Sequence, residues 1–188
     1  MKKLILLLIF VLSVNTVFAF DVQKNEEYYK SQIQNQRILY NTTGLVGAIQ
    51  KDNPQVVDYF MKAGFNPNAT YMGIPVTFFA VKVGDMKSLE SLLKHGANPN
   101  ATSPDTNLLL WAIHYKSSES VNLLIKYGVD VNSGFRYTLP LNKAISSKQT
   151  KIVETLLKAG AIPNNKTWKM VDKSKDEYLK ELFAGIER

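Results

Sequence analysis

The chain of 188 residues is 45% apolar and 21% charged, the balance of an ordinary globular domain. It contains no cysteine, which excludes disulfides and thiolate metal sites. Its formal charge of +7 rests on lysine; with Arg37, Arg136 and Arg188 as the only arginines there is no clustered phosphate-tracking stripe, which argues against nucleic acid as a partner.

Lys2 and Lys3 lead into the apolar run LILLLIFVLSV, which is short for a bilayer span, and Val17-Phe18-Ala19 supplies residues three and one before a cut. Residues 1–19 read as a secretory signal peptide cleaved after Ala19, with an uncleaved membrane anchor as the alternative. No cysteine follows the run, which excludes a lipid-attached protein of the bacterial type. The expected destination is the periplasm or the exterior, with no membrane span left after cleavage. Losing Lys2 and Lys3 lowers the formal charge from +7 to +5, a mild excess.

Residues 20–40 are mostly polar, with Tyr29 and Ile33 four apart, the pattern of a helix with one narrow apolar stripe. From residue 41 the chain repeats itself. Gly64, Gly96, Gly128 and Gly160 stand 32 residues apart, each in the same context: FMKAGFNPN, LLKHGANPN, LIKYGVDVN and LLKAGAIPN. The same step aligns Ala48, Ala80, Ala112 and Ala144, one small residue where two helices must come close. It also aligns three apolar columns, headed by Val57, Phe60 and Met61, whose i, i+3, i+4 spacing predicts an amphipathic helix before each glycine. A shorter apolar pattern precedes it, through Leu45 and Ile49 in the first copy and Leu109 and Ile113 in the third. Residues 41–166 therefore read as four helix-turn-helix units that bury their common columns by stacking.

Local signals mark the helix ends. Asn53 before Pro54 is an N-cap with proline at the first helical position, and Asp85 and Ser117 are the caps of the next two copies. Lys62, Lys94, Lys126 and Lys158 occupy the last turn, where a cation meets the negative end of the helix dipole; a basic binding stripe is the alternative. Asn68, Asn100, Asn132 and Asn164 follow each glycine by four, and the reading is that their side chains bond nearby backbone in the turns. The sequons at Asn68, Asn100 and Asn165 offer glycosylation as the alternative. Residues 167–188 read as a degenerate closing repeat with Tyr178, Leu179, Leu182 and Phe183 as its apolar stripe. It and residues 20–40 close the two ends, because a terminal unit has one neighbour and needs a polar outer face.

The second copy, GIPVTFFAVKVGDMKSLESLLKHGANPNA, resembles the ankyrin repeats: a glycine, a short first helix ending in small residues, a glycine turn, a longer helix ending in two leucines, then glycine, alanine and asparagine. The resemblance covers about residues 41 to 166 and implies an all-α ankyrin-repeat solenoid of four helix-turn-helix repeats plus N- and C-terminal capping helices. Two departures stand out. The family period is about 33 residues, so each connection here is one residue short, and the family's threonine-proline-leucine-histidine signature survives only as Thr43 and as Pro140 with Leu141. Both departures touch the shape of the hairpin tips.

Catalysis needs a nucleophile beside a base, paired carboxylates or a metal cage. The only histidines, His95 and His114, fall on helices of neighbouring units, acidic residues read as scattered with no pair at a repeated position, and no phosphate-cradling loop or metal spacing occurs. The expectation is a non-enzyme without cofactor, catalytic residue or metal site, a monomer that binds a protein partner.

In proteins with this resemblance the concave face is built from hairpin tips and the exposed ends of first helices. Carried over, those positions are Tyr71, Met72 and Ile74 with Lys82 and Val83; Ser103, Pro104 and Thr106 with His114 and Tyr115; and Phe135, Arg136 and Thr138 with Ser146 and Ser147. Tyr71 with Met72, and Phe135 with Arg136 and Tyr137, have the composition of interface hot spots. Alternatively these side chains fold back and fill space left by the shortened tip. Tyr137 takes the place of Gly73, where a bulky residue is costly at positive φ, so either Gly134 takes over the turn or the fourth tip has another conformation. The functional expectation is an adaptor of the cell envelope; the alternatives are an immunity-type inhibitor of an envelope toxin or hydrolase, and a binder of an anionic envelope polymer.

Overall fold

The computed structural model describes residues 26–188; the expected signal peptide and the first residues of the expected N-terminal cap lie outside them. Within the described residues a first helix, α1, covers 26–35. Four pairs follow: α2 (Thr42–Gln50) with α3 (Pro54–Lys62), α4 (Val76–Val83) with α5 (Met86–Lys94), α6 (Leu108–His114) with α7 (Ser118–Lys126), and α8 (Pro140–Ser146) with α9 (Thr150–Lys158). A fifth pair, α10 (Asn165–Asp172) and α11 (Glu177–Phe183), follows them. First helices pack on first helices and second helices on second helices, giving two parallel layers. Between α3 and α4, β1 (Thr70–Tyr71) and β2 (Ile74–Pro75) form a small antiparallel hairpin, and single bridges, Thr102–Asn107 and Phe135–Thr138, mark the next two connections.

The helix boundaries follow from side chains. Asn53, Asp85 and Ser117 accept hydrogen bonds from the amides of Val56 (3.3 Å), Ser88 (2.9 Å) and Ser120 (3.1 Å), as N-caps do. The second helices stop where the repeated glycines take φ between +75° and +94°. There the amides of Gly64 and Phe65 fold back onto the carbonyls of Met61 and Phe60, both at 3.0 Å, and the other copies do the same. A side chain at such a φ costs about 1–2 kcal/mol, which is why one residue type recurs in this column.

The repeated columns form one continuous core. Ala48, Ala80, Ala112 and Ala144 are all within 2% of full burial, so the backbones of neighbouring first helices approach across methyl groups alone. The columns headed by Val57 and Phe60 are wholly buried; cutting a leucine there, such as Leu92, to alanine removes about 2–5 kcal/mol. The column headed by Met61 behaves differently: Met61 and Leu93 are buried, but Ile125 and Leu157 are only half-buried, so the core thins toward the C-terminal end.

The asparagine column does not bond within its own turn. Asn68 Oδ1 accepts from the amide of Asn98 at 2.7 Å and its Nδ2 donates to the carbonyl of Gly96 at 2.9 Å, both in the following repeat. Asn100 accepts from Asp130 (2.8 Å), and Asn132 accepts from Ile162 (2.8 Å) while donating to Gly160 (3.0 Å). The turns are held instead by the residues two earlier, Asn66, Asn98 and Asp130, each accepting from the asparagine's own amide at 2.9 Å. The column is thus a ladder of rungs between repeats, each contributing about 1 kcal/mol. Asn164, the last member, caps α10.

At the N-terminal end Ile33 of α1 is fully buried, Tyr29 is half-buried, and the Tyr40 hydroxyl donates to the carbonyl of Ala63 at 2.6 Å while its ring stacks on Phe60. At the other end Leu179 and Phe183 are buried and Leu182 half-buried, but Tyr178 is a correction to the expected stripe. It is 47% exposed and donates its hydroxyl to Glu154 Oε2 at 3.0 Å, because α11 turns that position toward α9 and not toward the core.

Candidate functional site

The hairpin tips and the first helices line one face of the array. Tip one turns on Met72 (φ +52°) and Gly73 (φ +77°), two successive left-handed residues that make the tight turn suited to a twisted hairpin. The tip between α7 and α8 is built identically on Arg136 (φ +45°) and Tyr137 (φ +65°), with Phe135 and Thr138 exchanging amide–carbonyl bonds of 3.0 and 2.9 Å. Both sequence alternatives for this tip are therefore overturned: Tyr137 itself adopts the conformation of Gly73. Gly134 has another task, since a Cβ there would lie 2.8 Å from the Thr138 carbonyl oxygen. The middle tip closes by Ser103, whose amide donates to the Thr106 carbonyl at 2.8 Å, leaving Pro104 and Asp105 at its corner.

The expected contact residues divide into three groups. Tyr71 and Ile74 fold back: both are half-buried, and the Tyr71 ring meets Phe79 edge-on at 6.0 Å. Met72, Lys82 and Tyr137 are exposed, Tyr137 completely so at 102% of its reference area. His114, Phe135 and Arg136 come together around a groove of about 380 Å³ between the second and third tips and helices α6 and α8. Tyr115 stands beside it, its ring 5.0 Å from Trp111 and nearly perpendicular to it.

The groove has an aromatic wall and a basic rim. Trp111 forms the wall, its indole N–H donating to the Phe78 carbonyl at 3.2 Å and its ring stacked on His114 at 5.8 Å. Opposite it, the Arg136 guanidinium lies over the Phe135 ring at 5.4 Å and donates to the Pro104 carbonyl at 2.9 Å. Lys143 of α8 and Asp105 complete the charged lining. Trp111 and Lys143 were missed in the sequence, yet the step of 32 exposes them: Gly47, Phe79, Trp111 and Lys143 form a column that changes in every copy, directly beside the constant alanine column. A larger hollow of about 550 Å³ opens where the turn 147–149 meets the longer turn 173–176. It lacks aromatic lining and belongs to the seam with the closing pair.

The opposite face, formed by the second helices, mixes six lysines with four acids. Lys62, Lys126 and Lys158 pair with Asp58 (2.7 Å), Glu90 (2.7 Å) and Glu154 (2.6 Å). The acids themselves recur at intervals of 32 and 64, so they are not scattered as expected from the sequence: they answer the lysine column. Hydrogen bonds from Lys126 and Lys158 hold the Glu90 and Glu154 carboxyls below the usual carboxylate value. The same bonds raise the two lysines. His95 lies on this side, with its Nδ1 2.8 Å from the Ser91 carbonyl oxygen. Among the described residues no three His, Cys, Asp or Glu side chains gather as a metal site would require, and no helix is long and apolar enough to cross a membrane.

Two stacked helical layers with hairpin tips projecting to one side define a class of repeat protein. Residues 77–167 match the family model of ankyrin repeats in three copies, and this segment is built of ankyrin repeats. The first unit, with the same glycine and alanine columns, precedes the matched segment. No curated protein gives a significant match to the chain. Ankyrin repeats are in general modules of protein–protein interaction and typically non-catalytic.

Proposed function

We propose that the protein is an exported, non-catalytic adaptor that holds one protein partner in the groove between α6, α8 and the two neighbouring tips. The leader sequence led by Lys2 and Lys3 supports export to the envelope. The observation that carries the binding reading is the groove itself, where Trp111, Phe135 and Arg136 converge on one opening beside the wholly exposed Tyr137. Tryptophan, tyrosine and arginine are the side chains that dominate interface energetics. Tyr71, Ile74 and Phe135, being half-buried, support this surface, whereas His114, Arg136 and Tyr137 are free to make contacts.

The test is affinity capture from the cell envelope with the chain from residue 20 onward and with a variant carrying His114, Arg136 and Tyr137 all replaced by alanine. All three are exposed, so the variant should keep its helix content and melting profile while losing the captured protein. Equal capture by both forms would remove the groove from consideration. If the captured protein is a toxin or hydrolase whose activity is blocked on binding, the adaptor gives way to an inhibitor using the same surface.

A further inference from the structure

We infer that the groove face selects an acidic polypeptide segment, one that lays carboxylates against Lys82, Arg136 and Lys143 and an apolar side chain against Trp111 and Phe135. The inference rests on the proposed reading of this groove as the partner site and specifies what that partner must present. Its basis is that the first-helix layer, which carries the aromatic groove, holds cations with no acid among them, whereas the second-helix layer mixes both signs. The first helices α2, α4, α6 and α8 contain no aspartate or glutamate at all, yet carry Lys82, His114 and Lys143. The second helices mix Asp58, Glu90, Glu119 and Glu154 with six lysines, of which Lys62, Lys126 and Lys158 are held in ion pairs and, among the described residues, Lys87, Lys94 and Lys151 are not.

On the groove face the helical cations have no acid within their own layer to answer them. Neither Lys82 nor Lys143 joins an ion pair among the described residues, and Arg136 has only Asp105, at 3.8 Å, with both side chains more than two-thirds exposed. Cations bordering a low-dielectric aromatic wall attract an incoming negative segment and repel a positive one, which sets partner choice more than affinity. The spacing fixes the kind of segment. Lys82 and Lys143 stand on first helices two repeats apart; at 8–10 Å per packed helix that is about 16–20 Å, the span of roughly six extended residues. A uniform anionic polymer would satisfy the lysines but bring nothing apolar to Trp111 and Phe135.

Selection of random 12-residue peptides displayed on phage, with the chain from residue 20 onward as bait, tests this. The expected winners carry a net negative charge together with an apolar or aromatic residue. As synthetic peptides they should bind about tenfold more weakly to a Lys82→Glu/Lys143→Glu variant and detectably more weakly to the milder Lys82→Gln/Lys143→Gln variant, each verified as folded by its melting profile. Winners that depend on His114 and Tyr137 but are neutral or basic, or that ignore the charge reversal, overturn the acidic partner while leaving the groove as the binding site. A non-peptide polyanion such as dextran sulfate binding as tightly as the selected peptides overturns the polypeptide in favour of a uniform anionic polymer. Failure to enrich any peptide that the groove variants weaken overturns the site and this inference together.

Discussion

Tyr137 offers the sharpest test of how the tips are built, because the fold contains its own control. Tyr137 and Gly73 are equivalent positions of identical turns, at φ +65° and +77°, each following a second left-handed residue. Single left-handed residues also occur in the helix–helix turns at Asp52, Lys116 and Lys148, but among the described residues only the two tips place two in succession. A non-glycine residue in this region costs about 1–2 kcal/mol, while glycine loses about 0.4–1 kcal/mol by giving the unfolded chain more freedom. The Tyr137 ring is fully exposed, so its removal forfeits no burial. The balance predicts that Tyr137→Gly stabilises by about 0.5–1 kcal/mol, a rise in Tm of roughly 2–3 °C for a chain of this size. Gly73→Tyr should lower it by a similar amount. Thermal and urea melts followed by circular dichroism measure both, and the exchange of the two residues in one chain should leave Tm nearly unchanged. A Tyr137→Gly protein that melts lower would mean that the ring makes stabilising contacts and is not free for a partner. A protein that gains stability while losing its captured partner would show strain retained at a working surface.

The asparagine ladder predicts a different signature. Asn132→Ala removes two bonds to the next repeat and leaves the carbonyl of Gly160 without that donor, so it should cost about 1–2 kcal/mol and raise amide exchange in the C-terminal repeats before the N-terminal ones. A loss spread evenly along the chain would contradict a rung between neighbours. For the face of the second helices the prediction concerns pH. The Glu154 carboxyl is held below its usual value of 4.5 by hydrogen bonds from Lys158 and Tyr178, so its contribution is present above that value and disappears as pH falls through the lowered one. Melting curves from about pH 6 to pH 3 should therefore show a shallower acid loss for Glu154→Gln than for the parent chain. Identical slopes would mean that the pair is fully screened by solvent.

The sequence by itself determined the architecture, because stacking demands the same small or apolar residue at the same place in every copy. The glycine, alanine and leucine columns obey that demand without help from anything distant, and the caps Asn53, Asp85 and Ser117 act within three residues of themselves. Only the tertiary structure decided where groups reach across repeats. The periodicity says that Asn68 and Asn100 are equivalent, but not that each bonds the repeat ahead, since that depends on the sideways distance between stacked turns. It says likewise that Tyr71 and Tyr137 sit on tips, yet Tyr71 lies back on Phe79 while Tyr137, two positions further along an equivalent turn, faces solvent. The groove belongs to the same category: Trp111 and Phe135 are 24 residues apart and meet only because a tip folds over the first-helix layer. Equivalence is a property of spacing along the chain, whereas contact depends on rotation and translation between units, which no single repeat encodes.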